Sequence, residues 1–188
     1  MRNPPIRSEC YYHFYNRGVN FGNIFFIPEN WRFFLQRMRK YFLPQHADVM
    51  AYCLMPNHYH MLILAKSDQV SHKVMQPFVT SYTKAINKQR SRVGALFQGT
   101  FRAKFVHKNE YLLHLSRYIH LNPVTAGLVN KPEDWIYSSY RDYIGLRNGT
   151  LPNPSVILSQ FASPKHYLDF VNDDRDPKRG IPDSLLLD

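Results

Sequence analysis

Apolar and polar positions change period several times along this 188-residue chain, and each change marks an element. Glu9–Arg17 (ECYYHFYNR) is aromatic-rich and predicts a strand that Gly18 ends. In Pro28–Lys40 (PENWRFFLQRMRK), Trp31, Phe34, Leu35 and Met38 recur at helical spacing, and Pro28 suits a first helical turn. Asp48–Met55 and His58–Ala65 are short apolar runs broken by Pro56-Asn57, the pattern of two antiparallel strands joined by a tight turn. A long helix is predicted from about Val70 to Arg90, and Phe101–His107 reads as a strand after Gly99. Asn109–Asn122 follows as a helix capped by Asn109 and halted by Pro123, because the residue before proline disfavours helical geometry. Lys131–Ile144 predicts a further helix, and the polar, Pro-broken tail beyond Asn172 is expected to fray or dock loosely.

The alternation of strands and helices predicts an α+β domain: an antiparallel sheet of four to five strands with helices packed on one face, of split βαβ (ferredoxin- or RRM-like) type. Residues 1–150 are expected to form this domain and 151–188 a partly flexible extension. A hydrophobic content of 44% is enough for one such core.

Charge narrows the partners. Twenty-four Lys and Arg against fourteen Asp and Glu leave +10, which favours a polyanion, nucleic acid before membrane. No apolar run approaches the roughly 20 residues that span a bilayer, and the N-terminal stretch lacks a signal-peptide apolar region. Two cysteines, Cys10 and Cys53, are too few for a disulfide framework, so a reducing cytoplasmic setting is the simplest expectation. Neither a Walker A motif nor a GxGxxG is present, which argues against nucleotide-driven chemistry.

Two short segments carry candidate chemistry. In MPNHYHMLIL (55–64), His58 and His60 stand two apart on a predicted strand, so both imidazoles leave one face and can converge on a divalent ion. Two His ligands leave such a site incomplete, and the spacing equally suits two packed histidines. In RYIHLNPV (117–124), Tyr118 and Asn122 share a helix face about one turn apart. A tyrosine so placed can serve as a nucleophile beside an amide ligand. Phenol, with a pKa of about 10, needs an electropositive neighbour to do so. A core aromatic and a helix-stop asparagine would look the same.

The chain resembles the single-tyrosine HUH transposases, most closely the REP-associated branch. The resemblance rests on AYCLMPNHYHMLIL (51–64), GALFQGTFRAKFV (94–106), YLLHLSRYIHLNPVTAGLV (111–129) and WIYSSYRDY (135–143), with YHFYNRG (12–18) matching the first strand. It implies that His58 and His60 are metal ligands, Asn122 the polar third ligand and Tyr118 the nucleophile. The implied reaction is metal-dependent cleavage and rejoining of single-stranded, hairpin-bearing DNA through a 5′-phosphotyrosine link, with no nucleotide cofactor. The implied ion is Mg²⁺ or Mn²⁺; imidazoles suit Mn²⁺ better, and the ligand set does not exclude Zn²⁺. His114, one turn before Tyr118, would orient the tyrosine or the phosphate, whereas His120 is assigned to packing or surface. The resemblance is compatible with a monomer or with a homodimer that exchanges the tyrosine helix. Two departures stand out: YYHFYNRGVNFGN replaces a Gly-Thr-Trp-Phe motif that reads a guide tetranucleotide, and Thr100 stands where relatives carry a basic residue.

Arg102, Lys104 and Lys108 recur at even spacing on a predicted strand, opposite Phe101, Ala103 and Phe105, and offer phosphates one basic face. Lys84, Lys88, Arg90 and Arg92 extend that basic character at the end of the long helix and in its following loop. Arg17 and Asn20, after the first strand, are candidate base readers by analogy with the family. Two other classes compete with the transposase reading. A catalytically silent DNA- or RNA-binding module would lose a site residue, and a water-using metal hydrolase would tolerate Tyr118→Phe.

Overall fold

The computed structural model describes residues 3–107, 109–173 and 176–186, with only the backbone of Glu110. Four strands form its sheet: β1 (Cys10–Arg17), β2 (Ala47–Met55), β3 (His58–Ala65) and β4 (Arg102–Val106). Their order is β2-β3-β1-β4, and every pairing is antiparallel. Helices α1 (Pro28–Tyr41) and α2 (Gln76–Gln89) each connect strands that have another strand between them, which is the split βαβ arrangement. A π-helical turn, Val70–Met75, leads into α2 just before Pro77, so the predicted long helix begins wide and becomes regular only afterwards.

Period-two alternation sends successive side chains to opposite faces. Tyr12, Phe14, Tyr59, Met61 and Ile63 bury against Phe34 and Met38 of α1 and Phe78, Tyr82 and Ile86 of α2. The expectation that helices cover one face is corrected on the other. There Cys53, Met55 and Leu62 pack against Leu112, Leu115 and Ile119 of α3 (Asn109–Thr125), and against the C-terminal segment. The chain beyond residue 150 supplies Ile157 of α5 (Ser155–Leu158), Tyr167 and Val171 of α6 (Pro164–Val171), and Ile181, Leu185 and Leu186 to this second core. Three carbonyls of that segment, on Phe170, Asp173 and Asp176, accept from the buried guanidinium of Arg117, so Asp173 and Asp176 are docked rather than frayed.

Two predicted helices differ. Helix α3 does not stop at Asn122 but continues through Pro123 to Thr125. Proline removes one ladder hydrogen bond, and the Asn122 side chain donates to the Tyr118 carbonyl (2.8 Å) at this point in the helix. The 131–144 stretch is not one helix either. It begins as a 3₁₀ turn at Pro132–Asp134 and ends as the single turn α4 (Tyr140–Tyr143). Between them the chain runs beside the free edge of β2, with Leu54 N–H donating to Tyr137 O (3.0 Å) and Ser139 N–H to Tyr52 O (3.0 Å). Unpaired edge amides and carbonyls outweigh the weak helical pattern of WIYSS. Trp31 and Trp135 both donate their indole N–H to the Leu54 carbonyl, and Trp31 stacks on Tyr137 at 4.7 Å.

Candidate active site

His58 and His60 emerge from β3 on the face covered by α3, their rings edge to face at 4.9 Å. His58 is half-buried; His60 is fully enclosed. Burial lowers both pKa values, His58 to about 4 and His60 well below the ordinary imidazole value, and the neighbouring cations Arg17 and Lys104 push the same way. Both rings are therefore neutral at neutral pH, the state in which imidazole binds metals. The nitrogens beside the ring–chain junction are occupied. His58 Nδ1 lies 2.6 Å from Asn57 Oδ1, and His60 Nδ1 lies 2.9 Å from Nε2 of a third histidine, His13. His60 Nε2 is buried without a hydrogen-bond partner.

Helix α3 brings the other half of the site. The Tyr118 ring meets His60 edge-on at 5.5 Å and His13 at 6.4 Å. Asn122 sits one turn further, near enough to His58 and His60 to offset part of their pKa depression, though it forms no well-shaped bond to His60 Nε2. Its Nδ2 donates to the Tyr118 carbonyl, and the amide oxygen, which carries the lone pairs, is the atom that can act as a ligand. Among the described residues no three His, Cys, Asp or Glu side chains converge as a metal centre. Two neutral imidazoles and an amide oxygen fit a divalent ion that completes its shell with phosphate oxygens and water, and the orphaned His60 Nε2 is the atom such an ion would satisfy.

The other predicted residues divide by face. Arg102 and Lys104 lie on the histidine face, opposite Tyr15 and His13 in the β1–β4 pairing. Lys104 also donates to the Leu186 carbonyl and lies 5.1 Å over the Tyr15 ring. Arg17 faces His58 in the β1–β3 register, bonds Gln98 Oε1 (3.0 Å) and stacks over the exposed ring of Phe21 at 4.4 Å. Asn20 is exposed at the tip of the following loop, in the left-handed region at φ 52°. That loop closes tightly at Gly18, where a Cβ would come within 1.9 Å of the Gly22 carbonyl oxygen. Lys84, Lys88 and Arg92 are exposed on α2 and its loop, on the opposite face, so the structure does not bring them to the histidines. Lys108 lies outside the described residues. His114 packs on Phe170 (5.5 Å) and under Gly180, where a Cβ would meet its ring at 2.6 Å. His120 is fully buried between Tyr167 Oη and Ser139 Oγ, both at 2.8 Å.

Sequence reasoning missed His13 and Asn57. His13 lies within an aromatic strand where a histidine reads as packing, and only the β1–β3 register sets it beside His60.

A ferredoxin-like sheet carrying an HxH strand, faced by a tyrosine–asparagine helix turn, is the arrangement that the resemblance to HUH transposases implies. The chain belongs to the family described as Transposase IS200 like, which matches residues 7–122 and so includes His13, His58, His60, Tyr118 and Asn122. A Haemophilus influenzae protein described as a REP-associated tyrosine transposase is 25% identical over 103 residues, half of this chain and 58% of that relative, so the match spans little more than half of the relative's length. A solved REP-associated tyrosine transposase bound to a REP hairpin has the same fold, with a TM-score of 0.60 at 13% identity over 81% of this chain and 96% of that one. Among the described residues no helix is long and apolar enough to cross a membrane.

Proposed function

We propose that this protein nicks and rejoins single-stranded, hairpin-bearing DNA through a covalent link to Tyr118, with a Mg²⁺ or Mn²⁺ ion held by His58, His60 and Asn122. One observation carries the reading: the neutral, enclosed His60 presents an unpartnered Nε2 beside the Tyr118 ring. A buried polar atom of this kind costs stability unless a ligand satisfies it. When bound, the ion would withdraw charge from the scissile phosphate and favour phenolate over phenol. Tyr118 Oη attacks phosphorus as the P–O3′ bond breaks; the phenolic proton is lost and the departing 3′ oxygen takes one up. The new phosphotyrosine diester keeps the energy of the bond it replaced, so a 3′-hydroxyl can reverse the step without a nucleotide. Arg17, Arg102 and Lys104, beside the histidines, are suited to position the DNA backbone. Hairpin DNA is favoured as substrate because the relative of shared fold was solved bound to a REP hairpin.

The test is incubation with hairpin DNA from the flanks of the gene, with Mn²⁺ or Mg²⁺, followed by denaturing electrophoresis. The expected result is a protein–DNA adduct lost with EDTA and in Tyr118→Phe. Cleavage without an adduct would replace this reading with a water-using hydrolase. Binding with neither product would leave a silent nucleic-acid-binding module.

A further inference from the structure

His13 is fully buried on β1, and both its ring nitrogens are engaged. Nδ1 lies 2.7 Å from the carbonyl oxygen of Leu185, and Nε2 lies 2.9 Å from His60 Nδ1. A carbonyl only accepts, so the single proton of a neutral His13 ring sits on Nδ1 and is donated to Leu185. Nε2 is then an acceptor, and the contact with His60 requires His60 to carry its own proton on Nδ1. The lone pair of His60 is thereby assigned to Nε2, the buried atom without a partner. His58 reaches the same tautomer independently, since the Asn57 amide oxygen 2.6 Å from its Nδ1 also accepts.

We propose that His13 is a positioning residue for the metal site: backed by the Leu185 carbonyl, it fixes the tautomer and ring orientation of His60 so that Nε2 faces the ion. The inference rests on the metal reading above. It makes a carbonyl 125 positions beyond His60 in the sequence part of the site's outer shell. Without the His13 acceptor, the His60 proton is free to move to Nε2, which blocks the ligating lone pair, and the ring loses its orienting contact. Outer partners of this kind hold metal-ligating histidines in one tautomer.

Two readouts on the full chain test the proposal. In the metal-free protein, nitrogen-15 correlation spectra of the histidine rings should show a protonated, pyrrole-like Nδ1 and a pyridine-like Nε2 for His60. Mn²⁺ binding by titration calorimetry should weaken roughly 10–100-fold in His13→Phe, the range for lost outer-shell partners. His13→Gln, whose amide oxygen can accept from Nδ1–H, should recover most of the affinity. A His60 proton on Nε2 in the unaltered chain overturns the relay, and that spectrum decides the matter even if His13→Phe does not fold. Unchanged Mn²⁺ affinity in a folded His13→Phe also overturns it. Failure of the unaltered chain to bind Mn²⁺ would overturn the metal reading itself, a different outcome from either of these.

Discussion

The helix that carries Tyr118 is pinned by His120, which should make the fold acid-labile in a way one substitution can isolate. His120 is enclosed between Tyr167 on α6 and Ser139 on the strip that covers β2. Burial lowers its pKa from 6.5 to about 3, with a smaller contribution from Arg147. A depressed folded pKa means that, between these two values, the unfolded chain binds a proton that the folded chain refuses. Stability from this group is therefore complete above pH 6.5 and falls as the medium is acidified. From pH 7.5 to 4.5 the linkage relation gives a loss of about 3 kcal/mol from His120 alone. For a chain of this length that is roughly 6–12 °C in Tm. Buried His13 and half-buried His58, each lowered to about 4, add to the total, so the diagnostic quantity is a difference between variants. His120→Gln keeps hydrogen-bonding capacity without a titrating ring. It should start about 1–3 kcal/mol less stable at pH 7.5, yet lose less on acidification by the His120 share. Urea unfolding at the two pH values measures both. Parallel losses in the parent and His120→Gln would refute the assignment of acid lability to this ring.

Other expectations are as direct. Tyr118→Phe should abolish the covalent adduct while hairpin binding in gel-shift titrations is retained; an adduct that persists would move the nucleophile elsewhere. Arg102→Ala should weaken hairpin binding and flatten the plot of log affinity against log salt by about 0.7, the share of one single-strand phosphate contact; an unchanged slope would remove Arg102 from the DNA path. Tyr59, between the two candidate ligands but on the opposite face, buries a hydroxyl that has no partner. Tyr59→Phe should therefore gain about 1 kcal/mol in urea unfolding, because it deletes an uncompensated polar group; a loss would show that the hydroxyl is satisfied in solution.

Local periodicity made much of this molecule legible. Alternation on 58–65 sufficed to put His58 and His60 on one face, and helical spacing on 117–124 to put Tyr118 and Asn122 one turn apart, because both relations depend only on the geometry of a single element. The four strands and the first three helices are likewise visible as changes of period. Pairings between elements are not legible in this way. His13 joins His60 only through strand register; Lys84, Lys88 and Arg92 fall on the far face only because α2 crosses there. The 137–139 segment forgoes its helical pattern because the edge of β2 has amides and carbonyls to satisfy, a demand made by residues some 85 positions away.

The sequence by itself therefore determined the four strands, the first three helices, the α+β class and the two candidate half-sites, each a property of neighbours along the chain. Tertiary structure alone decided that the candidate half-sites meet, that helices cover both faces of the sheet, and that the Leu185 carbonyl stands behind the His13–His60 contact. The physical reason is that side-chain direction follows from backbone period, whereas register, helix placement and the docking of the tail are set by long-range burial and hydrogen-bond satisfaction.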